Sequence, residues 1–315
     1  MAAGEADRQA VIGLDPSVPN TSRRGQRRAE QPPAPGPAAL PPRMERSRDR
    51  PAEQRVGPAV WATAAVLVLF LALPLVALIW RGIEAGRGIS GETFETLRQA
   101  LTLSFLTSAA SLLVVVAFGT PLAYLLARKA FAGRRLIETL VDLPIVLPPA
   151  VAGIALLVAF GRRGIVGEFL TELGITIGFT TTAVILAQIF VAVPFFVRAA
   201  RSGFVRVDRD LEVAAASLGA SPGVIFWRIT FPLARPGLLA GAVLAWARAM
   251  GEFGATIMFA GNYPGVSQTM PLAIYGRFGA GDLGSALLLS LVLLASSLLV
   301  LIGVRALDSR QDPLS

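Results

Sequence analysis

Neither cysteine nor histidine occurs in this 315-residue sequence. Their absence excludes disulfides, thiolate and imidazole metal sites, and catalysis that relies on either side chain. Lysine is almost missing as well. Lys129 alone is present, in LLARKAFAG, which is not the G-x-x-x-x-G-K-[ST] pattern that cradles phosphates. Any ATP used in this protein's work must therefore be bound by another chain. Charge of either sign is scarce, at 16% of residues against 54% hydrophobic. Soluble domains carry about a quarter charged residues, so this composition is that of a membrane protein.

The basic residues that are present are unevenly spread. Ten of the 29 precede Trp61, in a stretch rich in proline and arginine and poor in large apolar side chains. Such a stretch cannot bury enough surface to offset the entropy of folding. Residues 1–56 are read as a disordered, solvated cytoplasmic tail rather than a nucleic-acid-binding arm. No cleavable signal peptide is evident, because the first apolar run starts about sixty residues in and is too long for one. The pairs Arg23-Arg24 and Arg27-Arg28 are followed by PPAPGP and not by an apolar run, which argues against a twin-arginine signal.

Roughly 20 apolar helical residues cross a hydrocarbon core. Six segments qualify: Pro58 to Trp80, Leu101 to Leu126, Leu136 to Phe160, Phe179 to Val197, Gly237 to Ala260 and Leu283 to Val304. Lipid admits only helices or closed barrels, and the alternating strand patterns of a barrel are missing. The expected fold class is all-α, a polytopic membrane protein of about six transmembrane helices. The membrane unit is assigned to residues 57–306, followed by a short C-terminal tail, 307–315. Pro144, Pro148 and Pro149 break the third segment, and Arg248 and Glu252 interrupt the fifth.

Arginine placement predicts the orientation. With the tail in the cytoplasm, Arg128, Lys129, Arg134 and Arg135 lie inside, as do Arg198, Arg201, Arg206, Arg209, Arg228 and Arg235 after the fourth segment. Arg305 and Arg310 end inside too, while the opposite loops hold Arg81, Arg87, Arg162, Arg163 and Arg277. This asymmetry predicts a multi-pass cell-membrane protein with both termini cytoplasmic. No clear internal repeat is visible, which weakens an inverted-repeat secondary transporter.

The loop at 198–235, RAARSGFVRVDRDLEVAAASLGASPGVIFWRITFPLAR, is too long and too patterned to be a plain connection. Asp208 or Asp210 suits the N-cap of a helix starting near Leu211, with Glu212 close to its positive end. Leu211, Ala214, Ala215 and Leu218 share one face. Gly219 suits the end of that helix and Pro222 the start of the next. The pattern predicts a short helix, a sharp turn at GASPG, and a second short helix through Ile225 to Ile229. Phe226 and Trp227 are placed to anchor it. Small residues from Ala214 to Ala216 let another surface come close, so the loop either receives a partner or lies on lipid headgroups.

The run EVAAASLGASPGVIFWRITFP resembles the cytoplasmic EAA loop of ABC importer permease subunits. Gly219 is followed by nine residues and then by Ile229, Phe231 and Pro232. Two departures are plain: Phe231 stands where Leu is commonest, and Glu212 lies seven residues before Gly219 rather than six, so that Val213 takes the usual Glu position. The resemblance implies that Glu212, Ala214, Ala215, Leu218, Gly219, Ala220, Pro222, Ile229 and Pro232 belong to a coupling segment that docks in a groove of an ATPase subunit.

In the fifth segment Gly237, Gly241, Ala245 and Ala249 recur every four residues, a stripe suited to close helix packing within one subunit or between two. Arg248 and Glu252 are also four apart. Charges inside a membrane cost at least ~2.5 kcal/mol each on insertion scales, so they pair or face a cavity. They are either a structural pair or, with the flanking Gly251 and Gly254, part of a translocation path or gate for an anion. The stretches GEFGATIMFAGN, PGVSQTMPLAIY, LPIVLPPAVAGIALLVAFG and AQIFVAVPFFVRAA resemble the molybdate permeases of ABC importers, across Val60 to Val304.

The resemblance implies a type I importer permease carrying molybdate, or the similar tungstate or sulfate, into the cell. It implies a homodimer of permease subunits, two ATP-binding subunits inside and an extracytoplasmic oxyanion-binding protein outside, with no cofactor and no catalytic residue in this chain. The prolines at 144, 148 and 149 then mark either broken backbone lining the path or a packed kink.

Two rivals explain less. A secondary transporter or channel would want intramembrane acids or a histidine relay, and only Asp142 and Glu252 stand out. A membrane enzyme on Ser104, Ser108 and Ser111 would have no histidine base, so these serines are expected to bond between helices.

Overall fold

The computed structural model describes residues 57–86 and 90–308. The predicted disordered tail, 1–56, lies outside the described residues, as does nearly all of the C-terminal tail. Twelve α-helices and one π turn are described, with no strand among these residues. They are α1 (Pro58–Ala85), α2 (Gly91–Arg128), α3 (Arg134–Val146), α4 (Pro149–Phe160), α5 (Gly167–Glu172) and α6 (Thr181–Arg206). Next come α7 (Arg209–Ser217), α8 (Pro222–Ile225), the π turn (Phe226–Thr230), α9 (Phe231–Met250), α10 (Gly254–Ala260), α11 (Met270–Gly279) and α12 (Leu283–Asp308).

Among the described residues, five helical runs are long and apolar enough to cross a membrane. The pair α3 and α4, bent by 119° at Leu147 and Pro148, makes a sixth if it is one broken span. Several boundaries differ from those expected, and α1 runs on to Ala85 and α6 to Arg206, into the segment read as a loop. Helix α2 begins at Gly91, well before Leu101, because Ser90 caps it: its Oγ accepts from the Thr93 N–H at 3.2 Å. The polar turns that follow carry the helix beyond the apolar window. The fifth run extends from Pro222 to Met250, not from Gly237 to Ala260. A break at Gly251–Phe253 makes α10 a separate helix.

The core sits where α2, α6 and α9 pack, around Phe196, Phe204, Leu126 and Leu238. Gly237 and Gly203 let α9 and α6 meet backbone to backbone. A methyl on Gly237 would stand 2.5 Å from the Gly203 Cα, and one on Gly241 3.0 Å from the Phe196 carbonyl oxygen. The small-residue stripe thus packs against α6 inside the chain, with Ala245 and Ala249 buried in the same cluster.

The three serines bond between helices as expected. Ser104 Oγ accepts from the Met270 N–H (2.7 Å), Ser108 Oγ reaches Met250 Sδ (3.7 Å), and Ser111 Oγ donates to Gln188 Oε1 (3.0 Å). At the end of the bundle where α2 starts, Thr93 bonds to Ser285 of α12 (2.9 Å), and Arg277 reaches Glu92 (2.9 Å) and Thr96 (2.8 Å). Asp282 caps α12 there. The Ser285 hydroxyl and then its N–H hold Asp282 below the ordinary carboxylate range.

Candidate functional site

The segment after α6 forms as its residues dictate. Asp208 is the N-cap of α7, its Oδ1 accepting from the Asp210 N–H at 2.9 Å. The helix ends at Gly219, which takes φ +86°. The Ala220 N–H bonds to the Ala215 carbonyl (3.0 Å) and the Gly219 N–H to that of Ala216 (2.9 Å), the paired bonds of a Schellman turn. Ser221 then caps α8 and Pro222 takes its first turn.

The second helix does not stop near Ile229. It runs through the π turn into α9, with the Phe231 N–H bonding to the Phe226 carbonyl. Pro232 has no N–H for the Arg228 carbonyl, and the widened turn absorbs that gap in the ladder.

Helix α7 buries no residue. Leu218 is 89% exposed, and Val213, Leu211 and Ala214 are exposed with it. Glu212 faces the other way. Its Oε1 accepts from Arg128 Nη2 at 2.9 Å and from Thr230 Oγ1 at 2.6 Å. The same Arg128 nitrogen donates to the Val207 carbonyl at 3.0 Å, and the arginine side chain is only 6% exposed. This inward contact belongs to Glu212 and not to the neighbouring Val213, which stays exposed. Arg128 had no signal in the sequence beyond its place in a basic loop, because its partners lie 79 and 84 residues away.

Phe226 anchors the segment inside the chain, 5.0 Å from the Tyr124 ring of α2 and 6.3 Å from the Phe204 ring of α6. Trp227 remains exposed beside Phe231. Ile229 is half-buried, while Pro222 and Pro232 are exposed.

The second group of residues lies at the other end of α9, about 27 Å of helix beyond Thr230. Arg248 pairs with Glu252 across the break between α9 and α10. Glu252 is 1% exposed, and its Oε1 accepts from the Ala255 N–H at 2.7 Å. The carboxylate thus sits at the positive end of α10 and replaces the backbone bonds lost at the break. Arg248 is partly exposed, at 30%.

The break between α9 and α10 meets the break between α3 and α4 here. A methyl on Gly254 would overlap Pro149, and one on Gly153 would stand 2.6 Å from the Ala255 carbonyl oxygen. Pro148 and Pro149 form the α3–α4 break, while Pro144 lies within α3. Irregular backbone at membrane depth is tolerated when it is enclosed by protein or lines a cavity. Thr256 Oγ1 and Thr269 Oγ1 are buried nearby in sequence without a partner.

Two cavities are apolar. One of about 350 Å³ lies between α3, α4 and α6, lined by Val141, Pro144, Leu156, Phe160 and Phe190 among others. One of about 580 Å³ lies beside the π turn, lined by Thr120, Pro121, Tyr124, Phe226 and Trp227 among others. Their walls offer no charge to an anion. Asp142 is paired with Arg198 (2.6 Å) and Glu138 with Arg134 (3.0 Å) and Arg201 (3.2 Å), so α3 is tied to α6 by ion pairs.

A bundle of helices apolar and long enough to cross a membrane, with an exposed helix held at one end, is that of a multi-pass membrane protein. Residues 119–313, more than half of the chain, match the family described as the binding-protein-dependent transport system inner membrane component. The chain belongs to that family.

It is similar to the molybdenum transport system permease protein ModB of Mycobacterium tuberculosis, 45% identical over 247 residues, which are 78% of this chain and 93% of that protein. The ModB of Escherichia coli is 44% identical over 207 residues, 64% of this chain and 90% of that one. A probable sulfate transport system permease protein of Chlorokybus atmophyticus is 34% identical over 256 residues, 78% of this chain and 87% of that one. In fold the chain resembles a bacterial ABC transporter involved in the import of the acidic polysaccharide alginate, at TM-score 0.62 and 19% identity, covering 80% of this chain and 94% of that one.

Proposed function

We infer that the chain is the transmembrane permease subunit of an ABC importer that brings molybdate into the cytoplasm. The observation that carries this reading is the 45% identity to a molybdenum permease over 78% of the chain. The site agrees with it. An apolar helix face on α7 stands free of its own subunit, as a surface shaped to seat in another protein must.

In this reading two copies pair, two ATP-binding subunits sit on the cytoplasmic side, and an extracytoplasmic binding protein delivers the oxyanion. The loops carrying Arg128 and α7 face the cytoplasm, as the arginine asymmetry predicts. Glu212, Ala214, Ala215, Leu218, Gly219, Ala220, Pro222, Ile229 and Pro232 form the coupling segment. Its motion, driven by ATP on the partner, passes to the spans as a rigid-body shift. Arg248, Gly251, Glu252 and Gly254 lie at the gate, where Arg248 offers the partly exposed positive charge that a dianion needs and Glu252 limits its grip.

Uptake by vesicles holding the whole complex, with molybdate, tungstate and sulfate compared, tests the reading. ATP-dependent uptake of molybdate above sulfate supports it. Sulfate taken up in preference would assign the chain to the sulfate relatives, and uptake without the ATP-binding subunits would end the reading.

A further inference from the structure

The exposed coupling segment must be fastened to the spans if its motion is to reach them, and apolar packing does not fasten α7, which buries no residue. Its inward attachment is polar. One carboxylate oxygen of Glu212 takes hydrogen bonds from Arg128 and from Thr230, and the Arg128 nitrogen that makes the first also holds the Val207 carbonyl. Four elements converge on these few atoms. Arg128 is the last residue of α2, Val207 the C-cap of α6, Glu212 belongs to α7, and Thr230 closes the π turn that leads into α9.

The junction is largely enclosed: Arg128 is 6% exposed, Glu212 20% and Thr230 1%. A buried pair attracts more strongly than one in water, and removing one member leaves the other charge without compensation. On the outer side of the same short helix, Leu218, Val213 and Ala214 are free to meet a partner. Thus α7 has a docking face and, through one side chain, an anchoring face.

We propose that Arg128, Glu212 and Thr230 form the strut through which movement of α7 is delivered to α2, α6 and α9 together. Arg128, outside the coupling motif, and Thr230, between its Ile229 and Pro232, are then positioning residues of the transport cycle. This rests on the reading of α7 as a docking helix. It adds a division of labour: Glu212 transmits and does not bind the partner, whereas Leu218 binds and does not transmit.

The test uses the full complex, with its ATP-binding subunits and binding protein, in proteoliposomes supplied with radiolabelled molybdate. Two quantities are measured, co-purification of the ATP-binding subunits and molybdate moved per ATP hydrolysed. For Glu212→Gln the ATP-binding subunits are expected to co-purify in full while molybdate moved per ATP falls ~10-fold, the size of effect seen when a coupling network is cut.

Thr230→Val, which removes one bond and no charge, should give a smaller loss in the same ratio. The double variant Arg128→Met with Glu212→Leu leaves no unpaired buried charge, so it is expected to fold and still to be uncoupled. A wild-type ratio in that folded double variant would overturn the strut, and so would loss of the ATP-binding subunits in Glu212→Gln. Leu218→Asp separates this from the underlying reading. If it keeps the ATP-binding subunits bound, the docking face is wrong, whatever Glu212 does.

Discussion

Gly254 lies against Pro149 so closely that a methyl group on the glycine would overlap the proline ring. This contact joins the two helical breaks, since Pro149 opens α4 and Gly254 opens α10. The proline ring has no rotamer with which to retreat. Overpacking of this kind typically costs about 1–3 kcal/mol. Gly254→Ala is therefore expected to lower the thermal midpoint of the purified complex and its uptake. Gly91→Ala serves as the control, because nothing lies within 4 Å of that added methyl. Equal midpoints for the two variants would contradict the close approach.

Gly219 has open space around it, so only its backbone is constrained, at φ +86°. An L side chain in the left-handed region costs roughly 1–2 kcal/mol, asparagine less than alanine, and proline cannot enter it. Molybdate moved per ATP should fall in the order Gly, Asn, Ala, Pro at this position, with membrane insertion unchanged throughout. Normal uptake by Gly219→Pro would refute the docking role of the turn.

Arg248 and Glu252 are not equivalent partners. Arg248→Gln leaves Glu252 charged and buried, an arrangement that typically costs about 3–5 kcal/mol. Glu252→Gln keeps an oxygen for the Ala255 N–H, whereas Glu252→Ala removes both the cap and the pair. Folded yield should therefore be higher for Glu252→Gln than for Glu252→Ala. Arg248→Gln should lose uptake as well as yield. Intact uptake and assembly in Arg248→Gln would remove this pair from the gate.

Much of this was legible in the sequence, for identifiable reasons. Apolar length located the spans because lipid leaves the backbone few options, and the adjacent Pro148 and Pro149 marked the α3–α4 break because together they remove two successive backbone donors, whereas the single Pro144, expected to break the segment too, stays inside α3. Gly219 and Pro222 marked helix ends through local chemistry alone, while the cap left open between Asp208 and Asp210 falls to Asp208, so that α7 starts at Arg209 rather than near Leu211.

Three features were out of reach. The start of α2 at Gly91 rests on a Ser90 cap below the apolar window. The continuation of α8 into α9 depends on a π turn that no periodicity announces. The bond between Arg128 and Glu212 spans 84 residues, and only the folded chain brings them together.

The chain contains no cysteine, so Leu218→Cys gives this subunit a single thiol at the tip of α7. In intact membranes carrying the whole complex, that thiol should crosslink to a cysteine placed on the ATP-binding subunit, and a membrane-impermeant reagent should reach it only from the cytoplasmic side. Labelling from the outer side, with no crosslink, would contradict the claim that a partner's motor drives this pore through α7.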